Sequence, residues 1–478
     1  MRIVSALAAA LLLAALLVMG INAGPESRLI IVYYDGWEQL RQLASLGLQI
    51  LNYQGDVLAA LSYDEQIEAL RRVGFPVRIV DPAAEPQAYY LAYPYPASDR
   101  SALCEAEAAY PYASDVFIVR ATPARAERLA LRGVDIVKLP RSIALPSPQP
   151  MTAALQASPA YSPAVQAMVD AVSPTLLIHH VCKLQDRDQL TYCNELGTRF
   201  SYASTGIDEA AQYLYDEHRG LGLLVMYDPF LHNSTPMTNV VAELPGVGPD
   251  SNHVYVLSAH YDSLSEDPEN VAPGADDNAS GCAAVLEAAR ILSQHEFSHT
   301  IRFIHFAGEE QGLFGSAHYA EQALQRGDWI DGVVNLDMIA FESVPPADHI
   351  VEIHAGTDPS SLALADAFIG SILDYGLLLT PQKIGVGATW RADHSSFWSR
   401  GYPAILGIED FDDFNPHYHG ARDTLANMNT QLMVEYTKAA VATIAELASS
   451  HRSSPTPTPT PTLAPLRMYL PLVNENSH

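Results

Sequence analysis

Residues 254–315 constrain the fold more than any other part of the chain. VYVLSA and TIRFIHFA are strand-length apolar runs without strict polar–apolar alternation, as expected of strands buried on both faces. Between them, residues 280–294 carry apolar side chains at helical spacing. Strand, helix, strand in that order predicts a parallel pair joined by a crossover.

The alternation continues on both sides. A helix over 207–219 and strands over 222–227 and 239–244 come before it. After it come a helix over 315–325, strands over 332–336 and 350–354, and a helix over 360–375. A strand over 402–408 and a helix over 428–448 close the series. The predicted class is α/β, a mainly parallel mixed sheet sandwiched by helices. Ligands bind such sheets beyond the carboxyl ends of the strands, where His260, Glu309, Glu310 and Asp337 fall.

The first third reads differently. Segments 28–53, 55–81 and 115–140 each run strand, polar turn, leucine-spaced helix, then a glycine that opens a second strand. Gly47, Gly74 and Gly133 are placed as helix-ending residues. The repeats predict a small α+β domain over 24–141, either a propeptide that masks or chaperones the rest or a retained accessory domain. Before it, Arg2 and the apolar run 3–19, ending in small residues at Ala23-Gly24, form a signal-peptide pattern over 1–23. An uncleaved anchor is the alternative, and would be the only membrane contact. The expected location is secreted or at the cell surface. A Pro/Ser/Ala-rich linker spans 142–163, the catalytic region 164–450, and a Pro/Thr linker with a short tail 451–478.

Composition narrows the partners. With 27 Lys+Arg against 55 Asp+Glu, the net charge of −28 argues against nucleic acid or an anionic membrane surface. None of the four cysteines has zinc-site spacing. Cys182 and Cys193 are candidates for a small-loop disulfide, and Cys282 for a core residue. Asn233-Ser234-Thr235 is a glycosylation sequon.

The chemistry lies in the acids and histidines that end the strands. Alone, a histidine at a strand end or an aspartate in a turn is usually structural, and helix capping explains at least one of Asp276, Asp277 and Asn278. Several together carry more weight. Asp262 is near enough to His260 in sequence to orient its ring. Glu309-Glu310 ends an apolar strand, and Asp337 stands in VVNLDMIA. Burying such carboxylates is costly unless cations compensate. His417 and His419 lie in a loop beyond the 402–408 strand. Carboxylates and imidazoles converging in this way are what a zinc hydrolase needs.

The motifs AHYDS, PGADDNASG, HFAGEEQGLFGS, NLDM, DHSSFW and HYHGARDTL closely resemble the secreted di-zinc aminopeptidase family typified by bacterial leucyl aminopeptidase. Glutamate carboxypeptidase, the catalytically silent transferrin receptor and glutaminyl cyclase are more distant relatives. The resemblance covers about 198–448, and excludes the N-terminal repeats and the tail. It implies a zinc-exopeptidase fold with two zinc ions. His260 and Asp337 would hold one, Glu310 and His419 the other, and Asp277 would bridge both. Glu309 would be the general base, Asp262 would support His260, and Asp393-His394 would lie near the pocket. A water shared by the metals would attack the peptide carbonyl, and one metal would take the free α-amine of a peptide substrate. A carboxypeptidase on the same fold is the alternative, with Arg391, Arg400 and Arg422 as candidates for a carboxylate clamp. A single-zinc glutaminyl cyclase or a receptor-like protein fits less well, because all five ligands are present.

Overall fold

In the computed structural model, the described residues are 27–85, 88–94, 100–143, 145, 161–185, 196–203, 205–343 and 348–449. The expected signal segment, the C-terminal tail, most of the linker and Cys193 lie outside them. The N-terminal repeats form two sheet modules. In the first, β1 (Arg28–Tyr33), α1 (Gly36–Ser45), β2 (Gln49–Gln54), β3 (Val57–Ser62), α2 (Asp64–Arg72) and β4 (Val77–Asp81) build a sheet of order β2-β3-β1-β4. All its pairings are antiparallel. The second repeats this with β5 (Tyr89–Pro94), β6 (Ala108–Ala113), β7 (Val116–Arg120), α3 (Pro123–Ala130) and β8 (Val134–Lys138), in the order β6-β7-β5-β8. The β5–β6 unit escaped the sequence pattern because a five-residue 3-10 turn, Ser101–Glu105, stands where the leucine-spaced helix would be. Gly47, Gly74 and Gly133 do end helices, at φ 71°, 97° and 76°.

Two helices, α4 (Pro163–Asp170) and α5 (Pro174–Gln185), lead into the large domain. After α6 (Gly206–Gly220), strands β9 (Leu224–His232) and β10 (Thr235–Leu244) form a hairpin. Its exposed tip is Asn233-Ser234, the sequon. Then come β11 (His253–His260), α7 (Gly281–Leu292), β12 (Thr300–Phe306), α8 (Phe314–Arg326), β13 (Trp329–Leu336) and β14 (Ile350–His354). The chain continues through α9 (Pro359–Asp374), β15 (Thr380–Ile384), α10 (His394–Trp398), β16 (Ala404–Glu409) and α11 (Thr430–Ser449).

The eight strands run in the order β15-β14-β16-β13-β11-β12-β10-β9. The central four are parallel, while β14 runs antiparallel to β16, and β10 to β12. The mixed, mainly parallel sheet is as predicted. Edge strand β15, TPQKI, was missed; it is largely exposed and carries Pro381, so no apolar run announces it.

Both faces of the sheet are covered. Along β11, Tyr255 and Leu257 pack with α7 and α11, while Val254 and Val256 join a second cluster on the opposite face. That second cluster also takes in α8, α10 and much of the first N-terminal module, including Leu29, Ile31 and Leu58. One continuous apolar core thus joins module and sheet. Among the described residues, no helix is long and apolar enough to cross a membrane.

Candidate metal centre

The parallel strands end in a common cavity. His260 closes β11, Glu309 and Glu310 follow β12, Asp337 follows β13, and His419 comes from the loop after β16. Asp277 enters from the turn before α7. His260 Nε2 lies 3.2 Å from Asp277 Oδ1 and 3.3 Å from Asp337 Oδ1. His419 Nε2 lies 2.7 Å from Glu310 Oε2 and 3.4 Å from Asp277 Oδ2. Asp277 therefore turns one oxygen to each histidine.

Four of these residues, His260, Asp277, Glu309 and Glu310, are held from behind. The Asp262 carboxylate accepts hydrogen bonds from the Glu309 and Glu310 amides at 3.1 and 3.2 Å. Ser201 Oγ donates to it at 3.0 Å. His260 Nδ1 is nearer the Asp262 carbonyl, at 3.2 Å, than its carboxylate, at 3.6 Å. Asp262 thus positions the two glutamates first and the imidazole second.

Asp423 does for the turn what Asp262 does for the strand end. Its two oxygens accept from the amides of Asp276 and Asp277 at 3.0 and 2.9 Å. Asp276 points away from the cavity and accepts from the Ala340 amide and Asn415 Nδ2. Asn278 donates to the Leu336 carbonyl and caps the Gly281 amide. These two shape the turn.

Arg199, 1% exposed, went unnoticed in the sequence. Its guanidinium donates to the carbonyls of Tyr261, Leu184, Pro273 and Gly274 at 2.7–2.9 Å. It ties the segment after His260 to the turn before Asp277. Asp135, on β8 of the N-terminal region, was also missed, yet it lines the cavity. No motif marks either residue; each is a lone charge whose partners are distant in sequence.

Five of the candidates do not line the cavity. His417 is outside the cavity lining, and its backbone N–H donates to Asn415 Oδ1. His394 is buried against Trp398 and bonds the Thr389 carbonyl. Asp393 is fully buried beside it. Arg400 pairs with Glu321, and Arg422 is exposed, so of the three arginines only Arg391 lines the cavity. Cys282 is a buried free thiol whose Sγ–H donates to the His260 carbonyl, and Cys104 is an exposed one.

The electrostatics call for cations. Burial pushes the Glu310 carboxyl up to about 7, with help from neighbouring Asp277. Burial, with Asp337, Asp393 and Glu310 close by, holds Glu309 well above the usual carboxylate range. Burial alone would lower both histidines, yet the acids overcome it: His260 is raised well above normal and His419 to about 9. Four buried carboxylates facing two imidazoles leave surplus negative charge, and Glu310 Oε1 is buried without a hydrogen-bond partner. His260 with Asp277 and Glu310, and His260 with Glu309 and Asp337, bring their donor atoms within 4.8 Å of one another. This donor set fits zinc.

Comparison with known proteins agrees. The profile of peptidase family M28 matches residues 239–444. A protein described as a probable leucine aminopeptidase of Trichophyton verrucosum (strain HKI 0517) is 30% identical over 271 residues, covering 53% of this chain and 70% of its own. Leucine aminopeptidase 1 of Trichophyton equinum is 27% identical over 60% of this chain and 78% of its own. In fold, the chain is similar to the LapA aminopeptidase of Legionella pneumophila, with a TM-score of 0.57 and 20% identity over 77% of this chain and all of that one. LapB of the same organism has a TM-score of 0.53 and 20% identity over 89% of this chain and all of that one.

Proposed function

The chain belongs to peptidase family M28, and on that premise we propose that it is an exported aminopeptidase that uses two zinc ions to release N-terminal residues from peptides. The observation that carries the reading is Asp277, whose two oxygens face separate histidine–carboxylate sets. In this reading His260 and Asp337 hold one zinc, Glu310 and His419 hold the other, and Asp277 is shared. When bound, the ions supply Lewis acidity and lower the pKa of water toward neutrality.

The chain's own residues divide the remaining work. Glu310 is engaged by His419, whereas nothing among the described residues donates a hydrogen bond to the Glu309 carboxylate in the cavity. In keeping with the family resemblance, Glu309 is the general base of this reading, taking a proton from the attacking water and delivering it to the leaving amine nitrogen. Asp262 fixes both glutamates through their amides, and Asp423 fixes Asp277 through its own. Names of the aminopeptidase relatives support a substrate with a free amino terminus. Export rests on the N-terminal sequence pattern, and N-terminal sequencing of protein from the culture medium would test cleavage after Ala23.

The test of activity is a panel of amino-acid p-nitroanilides with their N-acetylated counterparts, before and after chelation and zinc restoration. The proposal expects zinc-dependent cleavage of the free-amine substrates alone. Cleavage of N-blocked peptides from the carboxyl end would establish the carboxypeptidase alternative instead.

A further inference from the structure

We propose that Arg391 and Tyr418 form a carboxylate-binding subsite in the cavity, filled here by Asp135 of the second N-terminal module in place of a substrate carboxylate. The inference rests on the exopeptidase reading and names a chemical feature of its substrates.

Asp135 sits on β8, outside the large domain. Its Oδ2 accepts from Arg391 Nη1 at 2.9 Å and its Oδ1 from the Tyr418 hydroxyl at 2.9 Å. The same Oδ1 lies 3.8 Å from Nδ1 of His419, whose other nitrogen faces Glu310. One carboxylate therefore satisfies a guanidinium and a phenol, and borders the candidate metal centre.

The receiving groups are rigidly placed. The Arg391 guanidinium lies 4.9 Å from the Phe411 ring centroid, with Tyr93 and Phe414 at 5.8 and 5.9 Å. Tyr418 stacks on the His419 ring at 3.7 Å. A confined arginine of this kind loses little freedom when it binds an anion, and is costly to leave unpaired. Within the large domain, the acids of this cavity are those assigned to the metals and to the general base; the anion that meets Arg391 comes from the N-terminal module. A ligand carboxylate could make the same two contacts. Its bearer would have its scissile bond near Glu309 and Glu310, because Arg391 lines the same cavity. The carboxylate could be the C-terminus of a dipeptide or an acidic side chain. Asp135, tethered in the same chain, competes with either at high effective concentration.

The test uses the full-length, zinc-loaded protein and its Asp135→Asn and Asp135→Asn/Arg391→Met variants. The substrates are Leu-Gly against Leu-Gly amide, and Glu p-nitroanilide against Gln p-nitroanilide. Asp135→Asn is expected to raise kcat/KM for the carboxylate member of one pair about tenfold over its neutral partner, and the added Arg391→Met to abolish that gain. The pair that responds identifies the source of the carboxylate. Both ratios unmoved, or an equal rise for all four substrates, would overturn the subsite. Calorimetric titration with glutarate reads binding without turnover, and should be about tenfold tighter to Asp135→Asn than to the double variant. If nothing is cleaved yet that difference holds, the aminopeptidase reading fails and the subsite stands. Normal cleavage with no difference in either assay sinks the subsite alone.

Discussion

His419 Nε2 stands 2.7 Å from Glu310 Oε2, joining the loop after β16 to the end of β12. Without a metal, a shared proton is what holds these two groups together. The contact should therefore weaken as protons leave.

The sign of that dependence follows from the shifts. Glu310 rises from 4.5 to about 7, chiefly through burial, and His419 from 6.5 to about 9, where Glu310 outweighs burial. Both bind protons more tightly folded than unfolded. Their contribution to stability is complete below the unfolded values and is lost as pH rises through the folded ones. Asp277 is shifted the other way, downward from 3.8, so its contribution falls away only in acid. Chelated protein should melt at progressively lower temperature between about pH 5 and about pH 9, and zinc-loaded protein much less so. Parallel melting curves for the two forms would contradict this.

Glu309→Gln should keep both metals and lose roughly 10²–10⁴-fold in kcat, because the amide cannot take up the proton. Metal content and steady-state kinetics on the same sample check it. Near-full activity would remove Glu309 from the role of base.

Asp262→Ala should lower zinc affinity by roughly 10–100-fold, since the amides of both glutamates lose their acceptor. A competition titration with a chromophoric chelator measures it. Unchanged affinity would mean that the strand end is held without this carboxylate.

Arg199→Met should destabilise the fold by about 3 kcal/mol or more, as four buried carbonyls lose their donor. Urea unfolding of the metal-loaded protein gives the value. A loss below about 1 kcal/mol would show that water or a rearranged loop replaces the guanidinium.

Much of this was legible in the sequence. β11, β12 and β13 are apolar on both faces, so their runs stand out, and acids and histidines at their ends announce a site. Residues whose importance depends on distant partners were not. Asp423 and Arg199 work on backbone groups across the fold, and Asp135 acts from a different domain. β15 hid because an edge strand need not be apolar. Asp262 was read as a partner for His260, whereas its stronger bonds are to backbone amides that no side-chain pattern reveals.

The apolar core shared by the first N-terminal module and the α8–α10 face bears on what a cut in the linker would do. A protease cutting between residues 142 and 163 would sever the chain without parting the pieces, because separation would bare a greasy surface to water. The expected product is a nicked two-fragment particle that co-elutes on sizing columns and divides only in denaturant.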